Sequence, residues 1–298
     1  MGIYLSSPDT RKHSLDGQGN GTKYGASSMQ GWRLNMEDDH ISEATFTPTS
    51  SLYAVFDGHG GPEVAKFCAK HFGPELKKNS KFSKETDIEG ALKETFLLMD
   101  TLILTPEGQA ELQTFKAADN AGDSFAGCTA NVTLIHKGTI WCANAGDSRT
   151  ICWSNRKLVE LSYDHKPDND IEKTRIIKAG GFITAGRVNG NLNLSRALGD
   201  MEYKKNNALL PEAQLISPMP DVMKKTLTPS DAFLVMGCDG IWEILSMEEI
   251  CEVVEAELKR REKVSEVAEV ILDRGLAPDT SVGIGCDNMS CIVIKLNC

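Results

Sequence analysis

Residues 53–61 of the chain read YAVFDGHGG. The apolar run ends at Asp57, His59 follows two residues later, and glycines occupy positions 58, 60 and 61. Asp-Gly pairs are common in turns, so an ordinary turn is one interpretation of this stretch. The alternative is that Asp57 ends a buried strand and binds a ligand, while the glycines leave room for that ligand beside the backbone. The positions of the other acidic residues in the chain can distinguish the two interpretations.

The composition is that of an ordinary globular protein. The chain has 298 residues, of which 41% are hydrophobic and 25% charged, and its formal net charge is −10. This acidic balance argues against a nucleic-acid surface, because binding to phosphate backbones needs a basic face. The nine cysteines form no CxxC pair and no cluster with zinc spacing. An odd cysteine count without a secretory signal favours a reducing compartment, so we expect a cytoplasmic protein, with a nuclear location left open. We also expect a monomer.

The first residues carry a short lipidation signal. MGIYLS matches the N-myristoylation pattern M-G-x-x-x-[ST], with Gly2 as the acceptor. One myristoyl chain gives marginal, reversible membrane binding, so we expect at most a partial membrane-associated fraction. Residues 7–26 are rich in Ser, Gly, Asn and Asp and lack hydrophobic periodicity. The sequence therefore predicts a flexible leader over residues 1–26 and a single folded domain over residues 27–298.

Hydrophobic spacing predicts short strands and amphipathic helices along the rest of the chain. SLYAVF (51–56) has the composition of a buried strand, while PEVAKFCAKHF (62–72) and residues 87–104 have helical spacing. From residue 129 onward, three apolar runs separated by Lys-Gly and Gly-Asp-Ser predict a strand meander. Hairpin connections together with clustered helices predict an α+β fold, in which helices pack outside antiparallel sheets.

Acidic residues recur beside the predicted strands. Asp57 ends SLYAVF, Asp239 follows an apolar run that starts at residue 232, and Asp287 precedes the last predicted strand. Buried carboxylates without compensation cost several kcal/mol each, and Arg33 alone cannot neutralise all of them. Either each acid caps a separate helix or turn, or a bound cation holds them together.

If a cation holds them, the ligand type favours Mg²⁺ or Mn²⁺. Glu37 and Asp38 in GWRLNMEDDH add two more carboxylates, and a carboxylate-rich set without cysteine suits these ions better than Zn²⁺. Asp57 could bridge two such ions, and the Gly58 carbonyl is accessible because no Cβ covers it. Two neighbouring ions acidify water and clamp an in-line displacement at phosphorus.

That chemistry needs two further groups, and the same motifs contain candidates for both. Arg33 offers a planar cation that can bind two phosphoryl oxygens at once. His59 titrates in the range required of a proton donor to the leaving oxygen.

Eight motifs in a fixed order connect these residues with a known family. From residue 29 onward they are MQGWRLNMEDDH, YAVFDGHGG, AGCTANV, ANAGDSR, DHKPDN, RVNGNLNLSRALGD, MGCDGIWE and GCDNMS. Together they resemble the metal-dependent protein serine/threonine phosphatases of type 2C, the PPM family. The resemblance implies a four-layer α-β-β-α sandwich, in which helices flank two antiparallel sheets and a metal centre lies at one end.

The resemblance also implies a role for each candidate residue. Asp57 would bridge two Mg²⁺ or Mn²⁺ ions, the Gly58 carbonyl would bind the first, and Asp239 and Asp287 would bind the second. The remaining roles are Glu37 and Asp38 as holders of metal-bound waters, Arg33 as the phosphate ligand and His59 as the general acid. On this interpretation Asp57 is a ligand, and the glycines beside it clear room for metal and substrate.

A third metal site is a weaker expectation of the same resemblance. Many relatives use an aspartate three residues before the glycine of the AGCT-like motif, where this chain has Ser124, with Asp123 next to it. Glu243 replaces the usual aspartate after the Asp-Gly of MGCDGIWE. Asp123 and Glu243 are therefore the candidates. We interpret GDSR (146–149) and SRALGD (195–200) as segments that shape turns and support the ligands.

The expected activity is hydrolysis of phosphoserine and phosphothreonine in phosphorylated proteins, by direct attack of a metal-bound hydroxide. A pseudophosphatase that serves as a binding module is the first alternative, although Arg33, Asp57, Asp239 and Asp287 are all present. A metal nuclease or small-phosphoester hydrolase is the second alternative, and the acidic composition suits it poorly.

Residues 202–214 are a candidate for contacts with substrate proteins. Lys204 and Lys205 in this segment could bind acidic or phosphorylated partners. An ordinary solvated loop explains the same residues equally well.

Overall fold

The computed structural model describes residues 4–116 and 126–296. The strands, in chain order, are β1 (Tyr4–Gly19), β2 (Thr22–Arg33), β3 (Asp39–Thr47), β4 (Ser50–Phe56), β5 (Gly58–His59), β6 (Gly127–Cys128), β7 (Ala130–His136), β8 (Thr139–Ala145), β9 (Arg149–Ser154), β10 (Lys157–Glu160), β11 (Ile183–Thr184), β12 (Arg187–Val188), β13 (Leu198–Gly199), β14 (Asp221–Thr226), β15 (Asp231–Gly237) and β16 (Met289–Leu296). The α-helices are α1 (Glu63–Lys78), α2 (Ser80–Ser83), α3 (Ile88–Ile103), α4 (Pro106–Phe115), α5 (Asp170–Lys178), α6 (Met247–Glu257) and α7 (Val264–Gly275).

Two antiparallel sheets form the centre of the molecule. The six-stranded sheet has the order β1-β2-β16-β15-β9-β10, and the five-stranded sheet has the order β14-β8-β7-β4-β3. Side chains from both sheets meet in a shared core, to which Tyr53 and Val55 of β4 and Leu234 and Met236 of β15 contribute. The sheets therefore stack face to face.

Helices cover the outer face of each sheet. Alternate residues of β4, Leu52, Ala54 and Phe56, face away from the other sheet and pack in one core with α1, α3 and α4. On the opposite side, α6 and α7 pack in a second core with β2, β9, β15 and β16. Because β4 is buried on both faces, its sequence from Leu52 to Phe56 is a continuous apolar run rather than an alternating one. The predicted four-layer α-β-β-α sandwich is confirmed.

The helices begin where their sequences offer caps. Asp87 accepts a hydrogen bond from Gly90 N at the start of α3, and Ser246 and Glu249 form a capping box at the start of α6. Helix α3 lies where helical spacing predicts it. Among the described residues, no helix combines the length and the apolar character that a membrane span requires.

The predicted flexible leader is wrong over the residues that the structure describes. Strand β1 pairs with β2, in continuous register from Lys12 to Gly19, and Asp16 accepts a hydrogen bond from Ser265 N at the start of α7. As an edge strand with two largely exposed faces, β1 needs no alternating apolar residues, and this is why its sequence lacks periodicity. The signal for it was the Asn20-Gly21 turn, where both residues have positive φ, as a tight hairpin turn requires.

Two smaller sheets lie beside the main sandwich. One has the order β13-β6-β5. The other is the β11-β12 hairpin, which shares a small core with α5 through residues such as Ile176, Val188 and Ile216. We call residues 170–217, which contain α5 and this hairpin, the side unit.

Candidate metal centre and active site

The acidic residues of the motifs meet at one end of the sandwich. Strands β4 and β8 both run antiparallel to β7, so their carboxyl ends lie at the same edge of the five-stranded sheet, where Asp57 and Asp147 follow them. In the other sheet β15 runs antiparallel to β16, which brings Asp239, after β15, close to Asp287, before β16. A polar cleft of about 160 Å³ opens at this end, lined by Arg33, Glu37, Asp57, Gly58, His59, Asp147, Asp239 and Asp287 among others.

Three carboxylates form the centre of this cleft. Asp57, Asp147 and Asp239 each offer an oxygen, and these oxygens lie within 4.8 Å of one another. Asp147 was not named as a ligand from the sequence, because GDSR was interpreted as a segment that shapes a turn and supports the ligands. The signal was present, because Asp147 follows the buried strand β8 much as Asp239 follows β15. Lys166 forms an ion pair with Asp147, which is a single positive charge beside three negative ones.

Burial without full compensation raises the pKa of two of these groups, Asp57 and Asp239. For Asp57, desolvation is the largest cause, and the charges of Asp38 and Asp239 add to it, so that its pKa lies well above the usual range. For Asp239, desolvation again comes first, followed by the charges of Asp147 and Asp287. Such groups favour either a proton or a bound cation over the free charge.

Asp38 lies behind the cleft with one oxygen engaged and one free. Its Oδ2 accepts a hydrogen bond of 2.8 Å from Ser290 Oγ. Within the described part of the chain, its buried Oδ1 has no hydrogen-bond partner. Desolvation, together with the charges of Asp287 and Glu37, raises the pKa of Asp38 to about 7. A buried acceptor without a donor fits a site completed by a group that the chain does not supply.

Glu37 is held at the edge of the cleft by two hydrogen bonds and by close packing of its backbone against Gly58. Glu37 Oε2 accepts a hydrogen bond of 3.3 Å from Gly61 N, and Glu37 N donates one of 2.9 Å to Asn288 Oδ1. A Cβ at position 58 would lie 2.2 Å from the Glu37 carbonyl oxygen. Glycine at 58 therefore permits a close backbone approach that brings Glu37 to the edge of the cleft.

Arg33 stands at the mouth of the cleft. Its Nη2 donates to Asp287 Oδ2 at 2.5 Å, and its side chain is 45% exposed. The guanidinium is thus held by one carboxylate while much of it stays accessible. An arginine in this arrangement can still present donors to an incoming phosphate.

His59 is held by the carboxylate of Asp200, which belongs to SRALGD, the segment interpreted from the sequence as support for the ligands. His59 Nε2 lies 2.8 Å from Asp200 Oδ2, and the His59 side chain is 25% exposed. Desolvation disfavours the charged imidazolium, but the charge and hydrogen bond of Asp200 outweigh it, with help from Asp147 and Glu37, so the pKa of His59 is raised.

Comparison with known proteins identifies the family to which the chain belongs. A family model described as protein phosphatase 2C matches residues 22–283. The chain is 54% identical over 300 residues to Protein phosphatase 2C 1 of Paramecium tetraurelia, covering 99% of each chain. It is 41% identical over 329 residues to Probable protein phosphatase 2C 21 of Arabidopsis thaliana, covering 99% of this chain and 92% of that one. The chain belongs to the protein phosphatase 2C family.

Solved structures agree with this assignment. A phosphatase crystal structure from Toxoplasma gondii matches with a TM-score of 0.78 and 26% identity, covering 96% of each chain. A serine-threonine phosphatase 2C structure, also from Toxoplasma gondii, matches with a TM-score of 0.77 at 19% identity and supports the fold. The predicted resemblance is confirmed, and the chain is a protein phosphatase that acts on phosphorylated proteins.

Divalent metal use by the protein phosphatase 2C family fits the residues present in this chain. The central donors are carboxylate oxygens, which are hard ligands suited to Mg²⁺ and Mn²⁺. The thiol of Cys238 lies beside Asp38 and Asp57, but Ser290 N donates a hydrogen bond to its sulfur and the thiol donates to Asn288 O. The cysteine therefore already has structural partners, and the oxygen ligands define the chemistry of the site.

The two candidates for a third metal have different outcomes. Asp123 and Ser124 lie outside the described residues, as does Gly2. Glu243 accepts a hydrogen bond of 2.6 Å from Gly285 N, which ties the loop before Asp287 to the 3₁₀ turn after β15. Among the described carboxylates, Glu243 is in neither of the groups that converge to metal-binding distance.

The two lysines predicted to contact partners differ in exposure. Lys204 is only 7% exposed, because its Nζ is bonded to Asp100 Oδ2 and to the Ala197 carbonyl. The prediction that Lys204 is available to phosphorylated partners is therefore wrong. Lys205 is exposed and pairs with Glu202, one turn away.

Proposed function

We propose that this protein phosphatase 2C hydrolyses phosphoserine and phosphothreonine with the help of two divalent cations, Mg²⁺ or Mn²⁺. The observation that supports the proposal is the convergence of the Asp57, Asp147 and Asp239 oxygens within 4.8 Å. They converge in a cleft that also contains Arg33 and His59. Carboxylates so close together repel one another unless cations or protons separate their charges.

The proposed ligand roles are those that the family resemblance implies, and their residues line the cleft. Asp57 would bridge the ions, with Asp239 and Asp287 on one of them and the Gly58 carbonyl on the other. When bound, the cations would supply an acidified water as nucleophile and positive charge for the phosphoryl oxygens. Asp147 extends the predicted ligand set, and its place among the central carboxylates makes it a better candidate than Glu243 for a third ion.

The remaining residues would orient the substrate and move its proton. Arg33 would bind phosphoryl oxygens through the guanidinium donors that Asp287 leaves free. Glu37 and Asp38 would accept hydrogen bonds from waters in the site. As the bond from phosphorus to the water oxygen forms, the bond from phosphorus to the serine oxygen breaks. His59 gives a proton to the departing serine oxygen, and the attacking water gives one up to solvent.

Metal removal and restoration tests this proposal. We expect EDTA to abolish turnover of a phosphoserine peptide and Mn²⁺ or Mg²⁺ to restore it, with no cleavage of single-stranded DNA at the same Mn²⁺ concentration. Full turnover by metal-free protein would refute the metal requirement. Cleavage of the DNA would favour a nuclease, and loss of all turnover with every ion would favour a binding module.

We further propose, on the MGIYLS pattern alone, that Gly2 is myristoylated and that a minor part of a mainly cytoplasmic pool binds membranes reversibly. Mass spectrometry of the mature N-terminus tests the modification. Gly2→Ala should abolish the membrane fraction. An unmodified or acetylated terminus would refute this part of the proposal.

A further inference from the structure

The short three-stranded sheet joins three motifs that are distant in sequence. Strand β6 lies in the middle, pairing Cys128 with Gly58 of β5 on one side and with Leu198 of β13 on the other. His59 ends β5, and Asp200 directly follows β13. The sheet thereby brings His59 Nε2 to 2.8 Å from Asp200 Oδ2 across 141 positions of sequence.

Asp200 is fixed in place from several directions. It is 2% exposed, and its backbone is in the left-handed region, with φ 51° and ψ 42°, which is uncommon for a residue other than glycine. Its amide donates to the Ala126 carbonyl at 3.1 Å. The preceding residue, Gly199, donates its amide to Asp100 Oδ1 at 2.8 Å. A strained, buried position that the surrounding structure holds so firmly is typical of functional sites.

Gly127, in the middle strand β6, lies directly against the hydrogen bond between His59 and Asp200. A Cβ at position 127 would lie 2.5 Å from Asp200 Oδ2 and 2.6 Å from His59 Nε2. No side chain fits there while the hydrogen bond between His59 and Asp200 remains. The glycine in AGCT is therefore required by the pair.

We propose that Asp200 is the positioning residue of His59. Its carboxylate accepts the hydrogen bond from Nε2–H, fixes the imidazole plane, and leaves Nδ1 as the ring nitrogen that can meet the leaving oxygen of the substrate. Within the described ranges, His59 is the side chain that hydrogen-bonds the Asp200 carboxylate. A buried carboxylate behind a histidine is a recurrent way to fix the orientation and tautomer of the ring. This inference rests on the proposed role of His59.

The first experiment compares two substrates that differ in their need for a proton donor. In Asp200→Ala we expect kcat for a phosphoserine peptide to fall by about 10- to 100-fold, with KM changed by less than about twofold. Hydrolysis of an activated aryl phosphate should fall by less than about threefold, because its leaving group needs little protonation. Asp200→Asn should recover much of the peptide activity, because the amide oxygen can still accept the hydrogen bond from Nε2–H.

The second experiment asks whether the two residues act as one unit. If Asp200 acts through His59, His59→Ala and the double variant His59→Ala/Asp200→Ala should have equal peptide activity, since the second change has nothing left to disturb. Gly127→Ala should reproduce the substrate-dependent loss of Asp200→Ala without altering either partner.

Asp100→Asn is the matched control, because Asp100 supports the same sheet and does not contact His59. It should lower the rates on both substrates by similar factors. Equal losses on both substrates in Asp200→Ala, multiplying losses in the double variant, or an Asp200→Asn variant as slow as Asp200→Ala would each overturn the inference. If wild-type protein itself lacks phosphatase activity, the proposed function fails instead, so the two failures are distinguishable.

Discussion

Buried carboxylates occur in two regions of this molecule with opposite surroundings. In the side unit, Glu172 is 2% exposed and is bonded by Arg175, Arg196 and the Ser195 hydroxyl. In the cleft, the oxygens of Asp57, Asp147 and Asp239 approach one another, and Lys166 is the cation paired with this group. Among the described residues, the first region contains its own counter-charges, and the second leaves part of its negative charge uncompensated.

The pKa directions follow the same division. Burial opposes ionisation of Glu172, but hydrogen bonds from Arg196 and the charges of both arginines outweigh it and lower the pKa to about 2. Burial also dominates at Asp57 and Asp239, where neighbouring carboxylates add to it and the pKa rises instead. The difference distinguishes a structural ion network from a site built for an external cation.

The largest expected effect is on the compensated region. Glu172→Gln should lower the free energy of unfolding by about 3–5 kcal/mol, because it leaves Arg175 buried without its counter-charge and leaves Arg196 with Asp221 alone. Chemical denaturation followed by circular dichroism measures the loss. A change of less than about 1 kcal/mol would mean that the arginines find other partners, and the contrast between the two regions would disappear.

The matching change in the cleft should act on activity instead. Asp239→Asn should reduce phosphopeptide turnover by roughly 100-fold, because a neutral amide is a weaker metal ligand. The same change should leave the unfolding free energy of metal-free protein equal or higher, by up to about 2 kcal/mol, since it removes one of several mutually repelling charges. Destabilisation comparable to that of Glu172→Gln would show that Asp239 is compensated within the chain.

The two regions should also respond to pH in opposite windows. The pKa of Asp38 is about 7 in the folded protein and near 3.8 when unfolded, so metal-free protein should lose stability as the pH rises through this interval. Glu172, with its pKa lowered to about 2, stabilises the fold above about pH 4.5 and loses that contribution only as the pH falls through about 2.

Thermal melting of metal-free protein at pH 5 and pH 8 checks the first window. Mn²⁺ competes with protons for the same oxygens, so its stabilising effect should be small at pH 5 and larger at pH 8. Asp38→Asn should flatten this dependence. A Mn²⁺ effect that is equal at both pH values would contradict the assignment of raised pKa values to the metal site.

The smallest expected effect is a surface control. Lys205→Ala breaks an exposed pair with Glu202 and should change the unfolding free energy by less than about 0.5 kcal/mol. Activity on a small aryl phosphate should also be unchanged. A larger change in stability would mean that exposed pairs contribute as buried ones do, which would weaken the comparison.

Much of the fold and of the site could be predicted from sequence because the signals are local. Asp57, Asp239 and Asp287 each stand beside an apolar strand, and the ordered motifs identified the family. Asp147 also follows an apolar strand, but its Gly-Asp-Ser segment was interpreted from the sequence as one that shapes a turn.

The residues that could not be predicted depend on contacts distant in sequence. Asp200 meets His59 only because β6 joins β5 and β13, and no spacing within SRALGD indicates that pairing. The Lys204 side chain is largely covered because it pairs with Asp100 of α3, about 100 positions away, whereas the charge of a lysine by itself suggests exposure. Strand β1 is stabilised by its pairing with β2 rather than by its own periodicity.

Calorimetric titration of metal-free protein with Mn²⁺, followed by phosphopeptide turnover along the same titration, tests the central claim most directly. The uncompensated carboxylates should bind at least two ions per chain in a saturable manner, and turnover should rise as they bind. Asp57→Asn should remove both binding and turnover, whereas Lys205→Ala should change neither. Undiminished Mn²⁺ binding by Asp57→Asn, or turnover that is complete before any ion binds, would contradict the account.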